Sequence, residues 1–435
     1  MARLIVNQLG AIRSMNIEIK QLTLFIGEQA TGKSTLCKAV YFFRSFKELL
    51  LQYLYDVALN GKSEYGFPKA MNYRVKDSFI KLFGYSWGLP DDLFVQYEYC
   101  SDHIMKVRLV KKKRKYLSIG YSEKLLQKIC ELEDICADFY AEFVSEDGMS
   151  PRVIVANRSF LGELEEKVSA ILEDDMSTYY IPAGRSMLSL LANQKTKLNY
   201  DDMEPLNRKF MQGIESLQPV FAKGVKQAHR QFPSETRRFD VSWMNDAIVK
   251  GMKGEYFYNG SKEYLRLNET GNNIPIDFIS SGQQEVLWLY NQLYVLMLKG
   301  EKSFLMIEEP EAHLYPTLQK EIFDFIVAYL NLTGGSAIVT THSPYILTEC
   351  NNLCYAGRLA TVYSNVKELE KLIGKWHCLD VNRVSAFKLE QTEHGTEAVS
   401  LMDKETGELM AEKIDEISRE INRTYTKLYC LEEDL

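Results

Sequence analysis

Short apolar runs alternate along this chain with stretches whose apolar positions recur every three or four residues. Leu22-Thr23-Leu24-Phe25-Ile26 is the pattern of a strand buried on both faces. Leu36, Ala39, Val40, Phe43, Phe46 and Leu50 then follow at helical spacing. Upstream, Gly10 and the alternation over 15–19 predict a hairpin, so residues 2–27 read as strand, turn, strand and buried strand. Residues 94–121 alternate apolar and polar positions and predict two or three antiparallel strands, broken by a basic turn at 111–115. Helices are expected over 123–143 and 160–172, and a strand over 178–182.

The stretch 187–231 is helical and polar, with few turn signals before Pro233, and predicts an inserted helical lobe spanning 187–250. Strands return at 255–267, where Tyr256, Tyr258 and Tyr264 suit a pleated surface. A helix over 284–298 stopped by Gly300, a strand at 304–307, a helix opened by Pro316 and a strand at 337–340 complete the pattern. Apolar strands in alternation with helices are how a parallel α/β core is written. The expected organisation is one discontinuous domain, 1–186 with 251–435, carrying an antiparallel β subdomain and the helical lobe.

Candidate chemistry begins where the first buried strand ends. Gly27, Glu28, Gln29, Ala30, Thr31, Gly32, Lys33, Ser34 and Thr35 match the spacing of a phosphate-cradling loop between strand and helix. Gly27 and Gly32 let backbone N–H groups turn inward, Lys33 supplies a point charge for phosphate, and the Ser34 hydroxyl can ligate Mg²⁺. The stretch therefore predicts a nucleoside triphosphate site. A second apolar run, Phe304-Leu305-Met306-Ile307, ends in two carboxylates. Glu308 can hold Mg²⁺ through water, and Glu309 can polarise an attacking water. Ser281, Gly282 and Gln283 precede a helix whose N-terminus favours anions, and His342 closes the strand at 337–340.

Composition narrows the classes. The 435 residues are 46% hydrophobic and 26% charged, ordinary for a globular chain. No run long enough to span a bilayer and no signal-peptide pattern is present. With eight scattered cysteines, this suggests reduced thiols in the cytoplasm. The net charge of −7 does not advertise nucleic-acid binding.

The order of these motifs resembles that of the ABC-type ATPases. The signature of that family appears here as Ser280-Ser281-Gly282-Gln283-Gln284, with Gln283 in place of its second glycine. The resemblance implies that Glu308 is the Walker B acid and Glu309 the catalytic glutamate. It puts Glu311-Ala312-His313-Leu314 at the D-loop and makes His342 the switch histidine. It further implies ATP and Mg²⁺ as cofactors, with ATP between two subunits, so that a homo-oligomer is expected. Arg185 is a candidate for the glutamine-loop position. The wording Pro310-Glu311-Ala312-His313-Leu314-Tyr315-Pro316 and Thr341-His342-Ser343-Pro344 is similar to the branch of SMC-like repair ATPases and overcoming-lysogenization-defect proteins. It also resembles the ATPase subunits of anti-phage systems such as Septu, PARIS and some retrons.

After His342, Asp380, Asp403 and Asp415 stand singly, without the paired acids of a TOPRIM nuclease. His377 and His394 are too far apart to suggest an HNH nuclease. An effector, a nuclease by resemblance, is therefore expected on a separate polypeptide, with nucleic acid or a phage component as further partners. The alternative is an SMC-like DNA-repair ATPase that clamps DNA. Its candidate cations are those of Lys106 to Lys115, with the scattered set Arg208, Lys209, Lys223, Lys226, Arg230, Arg237 and Arg238. Finally, Met410, Ile414, Ile417, Ile421, Leu428 and Leu431 form a narrow apolar seam, suited to packing on the core or to docking a second chain.

Overall fold

A computed structural model describes residues 2–85, 88–112, 114–144, 151–192, 203–232, 240–362, 366–403, 408–410 and 423. The first half runs through β1 (Ala2–Leu9), β2 (Ile12–Ile19), β3 (Leu22–Gly27), α1 (Lys33–Asn60) and α2 (Gly66–Phe83). It continues with β4 (Phe94–Glu98), β5 (Ile104–Lys111), β6 (Lys115–Tyr121), α3 (Glu123–Phe139), α4 (Pro151–Ile171), β7 (Ser177–Ile181) and α5 (Arg185–Ala192). Next come α6 (Pro205–Leu217), α7 (Val225–Ala228), α8 (Ser242–Met252), β8 (Gly254–Tyr258), β9 (Glu263–Leu267) and β10 (Asn273–Pro275). Then follow α9 (Ser281–Lys299), β11 (Ser303–Glu308), α10 (Pro316–Thr333), β12 (Ser336–Thr341), α11 (Pro344–Val362), α12 (Val366–Ile373), β13 (Val384–Thr392) and β14 (Gly395–Ser400).

Eleven strands form one sheet in the order β6-β5-β4-β1-β2-β14-β13-β3-β12-β11-β7. The expected α/β architecture is there, in two regimes. From β13 to β7 the neighbours are parallel, with β3 between β12 and β13. From β6 to β2 they are antiparallel, the three strands expected at 94–121 included.

Burial explains the division. β3 alternates its side chains between two cores: Leu22, Leu24 and Ile26 face the cluster built by α9, α10 and α11, while Phe25 faces the cluster around α1. A strand covered on both faces is mostly apolar, as β3 is apart from Thr23 and β11 is between Ser303 and Glu308. The antiparallel wing buries only one set of alternate residues, Leu4, Val6, Val95 and Val107 among them, with α1, α2 and α3.

Helices of the 187–250 stretch contribute Leu188, Phe210, Met211, Ile214, Val225 and Ile248 to the same cluster as α9. Local pattern did not reveal α2, α11, α12 or the β13–β14 hairpin. The C-terminal seam lies outside the described residues beyond Met410. No described helix is long and apolar enough to cross a membrane.

Candidate functional site

The parallel strands β3, β11 and β12 end at one edge of the sheet, and the candidate residues converge there. The first loop is shaped by close approach on both sides. A Cβ on Gly27 would lie 2.7 Å from the Leu389 carbonyl oxygen of β13, so only glycine fits. Gly32 adopts φ +91°, and a Cβ there would meet Ile12 Cγ1 at 2.9 Å. Ala30 also has positive φ, and α1 begins directly at Lys33. The unpaired first-turn amides of that helix therefore face the loop. Lys33 Nζ donates to the carbonyls of Gly27 (2.8 Å) and Glu28 (2.7 Å), while Thr31 Oγ1 donates to Glu28 O at 2.8 Å. Ser34 is exposed at the helix start.

Three carboxylates act on Lys33. Burial pulls its ammonium below the usual lysine range, and Glu309, Glu311 and Glu308 oppose that pull. Glu308 ends β11 and is nearly buried. Its Oε2 accepts from Ala183 N at 3.3 Å, while its Oε1 is buried with no hydrogen-bond partner. An unsatisfied carboxylate oxygen beside the Gly27–Thr35 loop fits a Mg²⁺ ligand, direct or through water. Burial and then Glu308 push the Tyr180 phenol well above its ordinary range, so it stays protonated there.

Glu309 turns the chain sharply, with φ +43°, and its N–H donates to Thr340 O at 2.9 Å. Its Oε1 lies 3.3 Å from His342 Nε2, with both side chains about one-third exposed. A carboxylate and an imidazole in contact at a partly open edge can orient and deprotonate a water. Glu311 secures this pair from behind: its Oε1 accepts from Thr341 Oγ1 (2.7 Å) and from the backbone N–H of His342 (2.6 Å).

Arg185 has a different task from the glutamine-loop one expected by resemblance. Fully buried, it donates to the carbonyls of Pro182 (2.8 Å), Glu308 (2.6 Å), Glu309 (2.9 Å) and Glu285 (2.9 Å). Burial lowers its pKa and Glu285 opposes that. Glu285 also accepts from the amides of Arg185 and Ser186 at 3.1 Å each. This network ties the end of β11 to the first turn of α9.

The Ser281-Gly282-Gln283 segment sits at that first turn. Ser280 and Gln283 form a reciprocal capping box, and Gln283 Nε2 also donates to Met252 O at 2.7 Å. A Cβ on Gly282 would lie 2.8 Å from His313 O, so the signature segment packs on the turn after Glu309. Among the described residues it makes no hydrogen bond to the Gly27–Thr35 loop, and Ser281 is exposed. The structure thus brings Lys33, Glu308, Glu309 and His342 together and leaves the signature segment outside that group. The supporting roles of Arg185, Glu285 and Glu311 were not legible, because each depends on partners from a distant element.

A family profile described as an AAA ATPase domain matches residues 154–347, which hold the signature segment, Glu308, Glu309 and His342 but not the P-loop. Protein ea59 of Escherichia phage lambda is 37% identical over 76 residues, 18% of this chain and 14% of that protein. The human ATP-binding cassette sub-family A member 6 is 29% identical over 129 residues, 28% of this chain and 7% of that protein. This chain thus spans only a small part of the curated relatives it matches. Among solved structures, an SmcHead bound to the C-winged helix domain of ScpA superposes with TM-score 0.41 and 13% identity, covering 92% of this chain and 96% of that one. The SMC head domain from Thermotoga maritima gives TM-score 0.38 and 10% identity, covering 92% and 97%. The fold is α/β, built on one sheet of eleven strands, and residues 154–347 are similar to an AAA ATPase domain.

Proposed function

We propose that this chain binds and hydrolyses ATP and serves as the scaffold or sensor subunit of a bacterial anti-phage defence complex, controlling a separate effector. The observation that carries the ATP reading is the convergence of Lys33, Glu308, Glu309 and His342 on one edge of the sheet, beside a helix N-terminus. In this reading the P-loop amides and Lys33 hold the phosphates, and Ser34 and Glu308 hold Mg²⁺. The metal supplies charge neutralisation of the phosphate oxygens. Glu309, oriented by His342, takes the proton of the attacking water.

An exposed Ser281 that does not reach its own P-loop supports an ATP site shared between two copies, the signature of one closing on the nucleotide of the other. The defence role rests on the motif wording at 310–316 and 341–344. Glu309→Gln should retain ATP and accumulate as an ATP-dependent dimer or larger assembly, read by light scattering with and without Mg-ATP. An unchanged mass with ATP demonstrably bound would sink the shared site. Purification of the tagged chain from its host tests the effector: no reproducible second polypeptide counts against that role. A second reading, an SMC-like repair or recombination ATPase that clamps DNA, is favoured by the outer face of the antiparallel wing.

A further inference from the structure

The five antiparallel strands expose one face, and the register shows what it displays. Directly opposed residues share a face, so each cross-strand rank can be read across the wing. One rank is Asn16, Ile5, Gln96, Lys106 and Gly120. The next, toward the P-loop end, is Ser14, Asn7, Phe94, Arg108 and Ser118. Each of these residues is exposed or half-buried, whereas their chain neighbours Met15, Val95, Val107 and Leu117 are buried. Besides Ile5, Phe94 and Gly120, these ranks hold amides, hydroxyls and two cations and no carboxylate, in a chain whose acids outnumber its bases, 59 to 52.

Past the second rank lies the β5–β6 turn. There Lys111 and Lys115 share Asp91, while Lys112 and Arg114 have no ion pair among the described residues. Nor do Lys106 and Arg108. Lys106 lies along the sheet, since a Cβ on Gly120 would sit 2.9 Å from its Cε. Acids border these ranks: Glu18 and Glu98 flank Arg3 at the far end, Glu98 accepts from Gln96 Nε2 at 2.9 Å, and Glu397 of β14 stands opposite Ser14.

We infer that this face binds double-stranded nucleic acid through its sugar–phosphate backbone. Unpaired cations interleaved with amides and hydroxyls are the donors that phosphate contacts use. Four inter-strand steps make the face about 19 Å wide, ample for a duplex. Single strands are instead held by stacking on aromatic platforms, and here only Phe94 and Tyr116 are available, in different ranks. The site is separate from the nucleotide edge: β5 runs parallel to β3, so the basic turn points to the same end of the sheet, six strands or about 29 Å away. The inference names the partner surface that a DNA clamp requires, yet depends on no step of ATP chemistry.

The experiment is fluorescence anisotropy of a labelled DNA duplex against the full chain, without nucleotide, over a series of salt concentrations. Working without nucleotide separates its failure from failure of the ATP reading. The wild type should bind, with affinity falling as salt rises. The double variant Lys106→Ala/Arg108→Ala should bind at least about tenfold more weakly, with a log–log salt slope shallower by about 1.8, one phosphate contact each. Lys128→Ala, on a helix against the opposite face of the wing, should match the wild type. Circular dichroism checks folding, and Lys106→Gln/Arg108→Gln replaces the alanine pair if that pair unfolds. Four results overturn the inference: no duplex binding at about 50 mM salt, an unchanged slope in the folded double variant, tighter binding of single strands, or equal competition by polyglutamate.

Discussion

Charge at the phosphate edge is concentrated in a few side chains, and their environments differ enough to separate their roles. Lys33 is buried beside three acids, which oppose the fall in its pKa that burial causes. Lys33→Ala should lose ATP affinity by about a hundredfold, the worth of a strong charge-assisted contact, while the fold survives. Calorimetric titration checks this, and wild-type affinity would refute the P-loop assignment. Glu311 is the more informative position. Its carboxylate fixes the backbone of His342, and through it the imidazole facing Glu309. Glu311→Gln keeps an oxygen that can accept that N–H and should hydrolyse near the wild-type rate. Glu311→Ala should lower kcat by about tenfold or more, one lost bond to a charged group, with KM for ATP little changed. Equal kcat in both variants would remove this positioning role. Lys33 was legible from its motif; the bond from Glu311 was not, since nothing local links a turn after β11 to the end of β12.

At the scale of elements, the site depends on contacts between segments far apart in the chain. β13 lies beside β3 although some 360 residues separate them, and its backbone at Leu389 is what makes Gly27 necessary. Phe25 stacks on Phe387 across this pair, with ring centroids 5.9 Å apart. Phe25→Ala should therefore destabilise the chain by about 3–5 kcal/mol, as for a fully buried aromatic, measurable by denaturant unfolding. The signature segment gives a subtler case. Gly282→Ala forces a Cβ against the His313 carbonyl and must displace the turn after Glu309 or the start of α9. Such a variant should bind ATP with near-wild-type affinity but hydrolyse it slowly and fail to assemble. Calorimetry, a phosphate-release assay and light scattering read those three properties, and undiminished hydrolysis would show that the turn tolerates the shift.

For the molecule as a whole, one sheet serves two purposes. Its parallel half is covered on both faces and gathers the phosphate-edge residues at strand ends. Its antiparallel half is covered on one face and presents amides and cations on the other. The strands before β13, the Gly27–Thr35 motif, the paired acids and His342 were legible in the sequence alone, because apolar runs and glycine–lysine spacing are local signals. Strand order was decided only by the tertiary structure: hydrophobic periodicity says that a strand is buried, not which strand lies beside it. The β13–β14 hairpin between β2 and β3, the buried Arg185 brace and the ranks joining Lys106 to Gln96 all follow from that order. The basic turn at 111–115 was visible as charge, but only the register shows that Lys106 and Arg108 stand in ranks that hold no carboxylate across the five strands of the wing. Side-chain chemistry is written in the chain, whereas the company each side chain keeps is set by which backbones hydrogen-bond to one another.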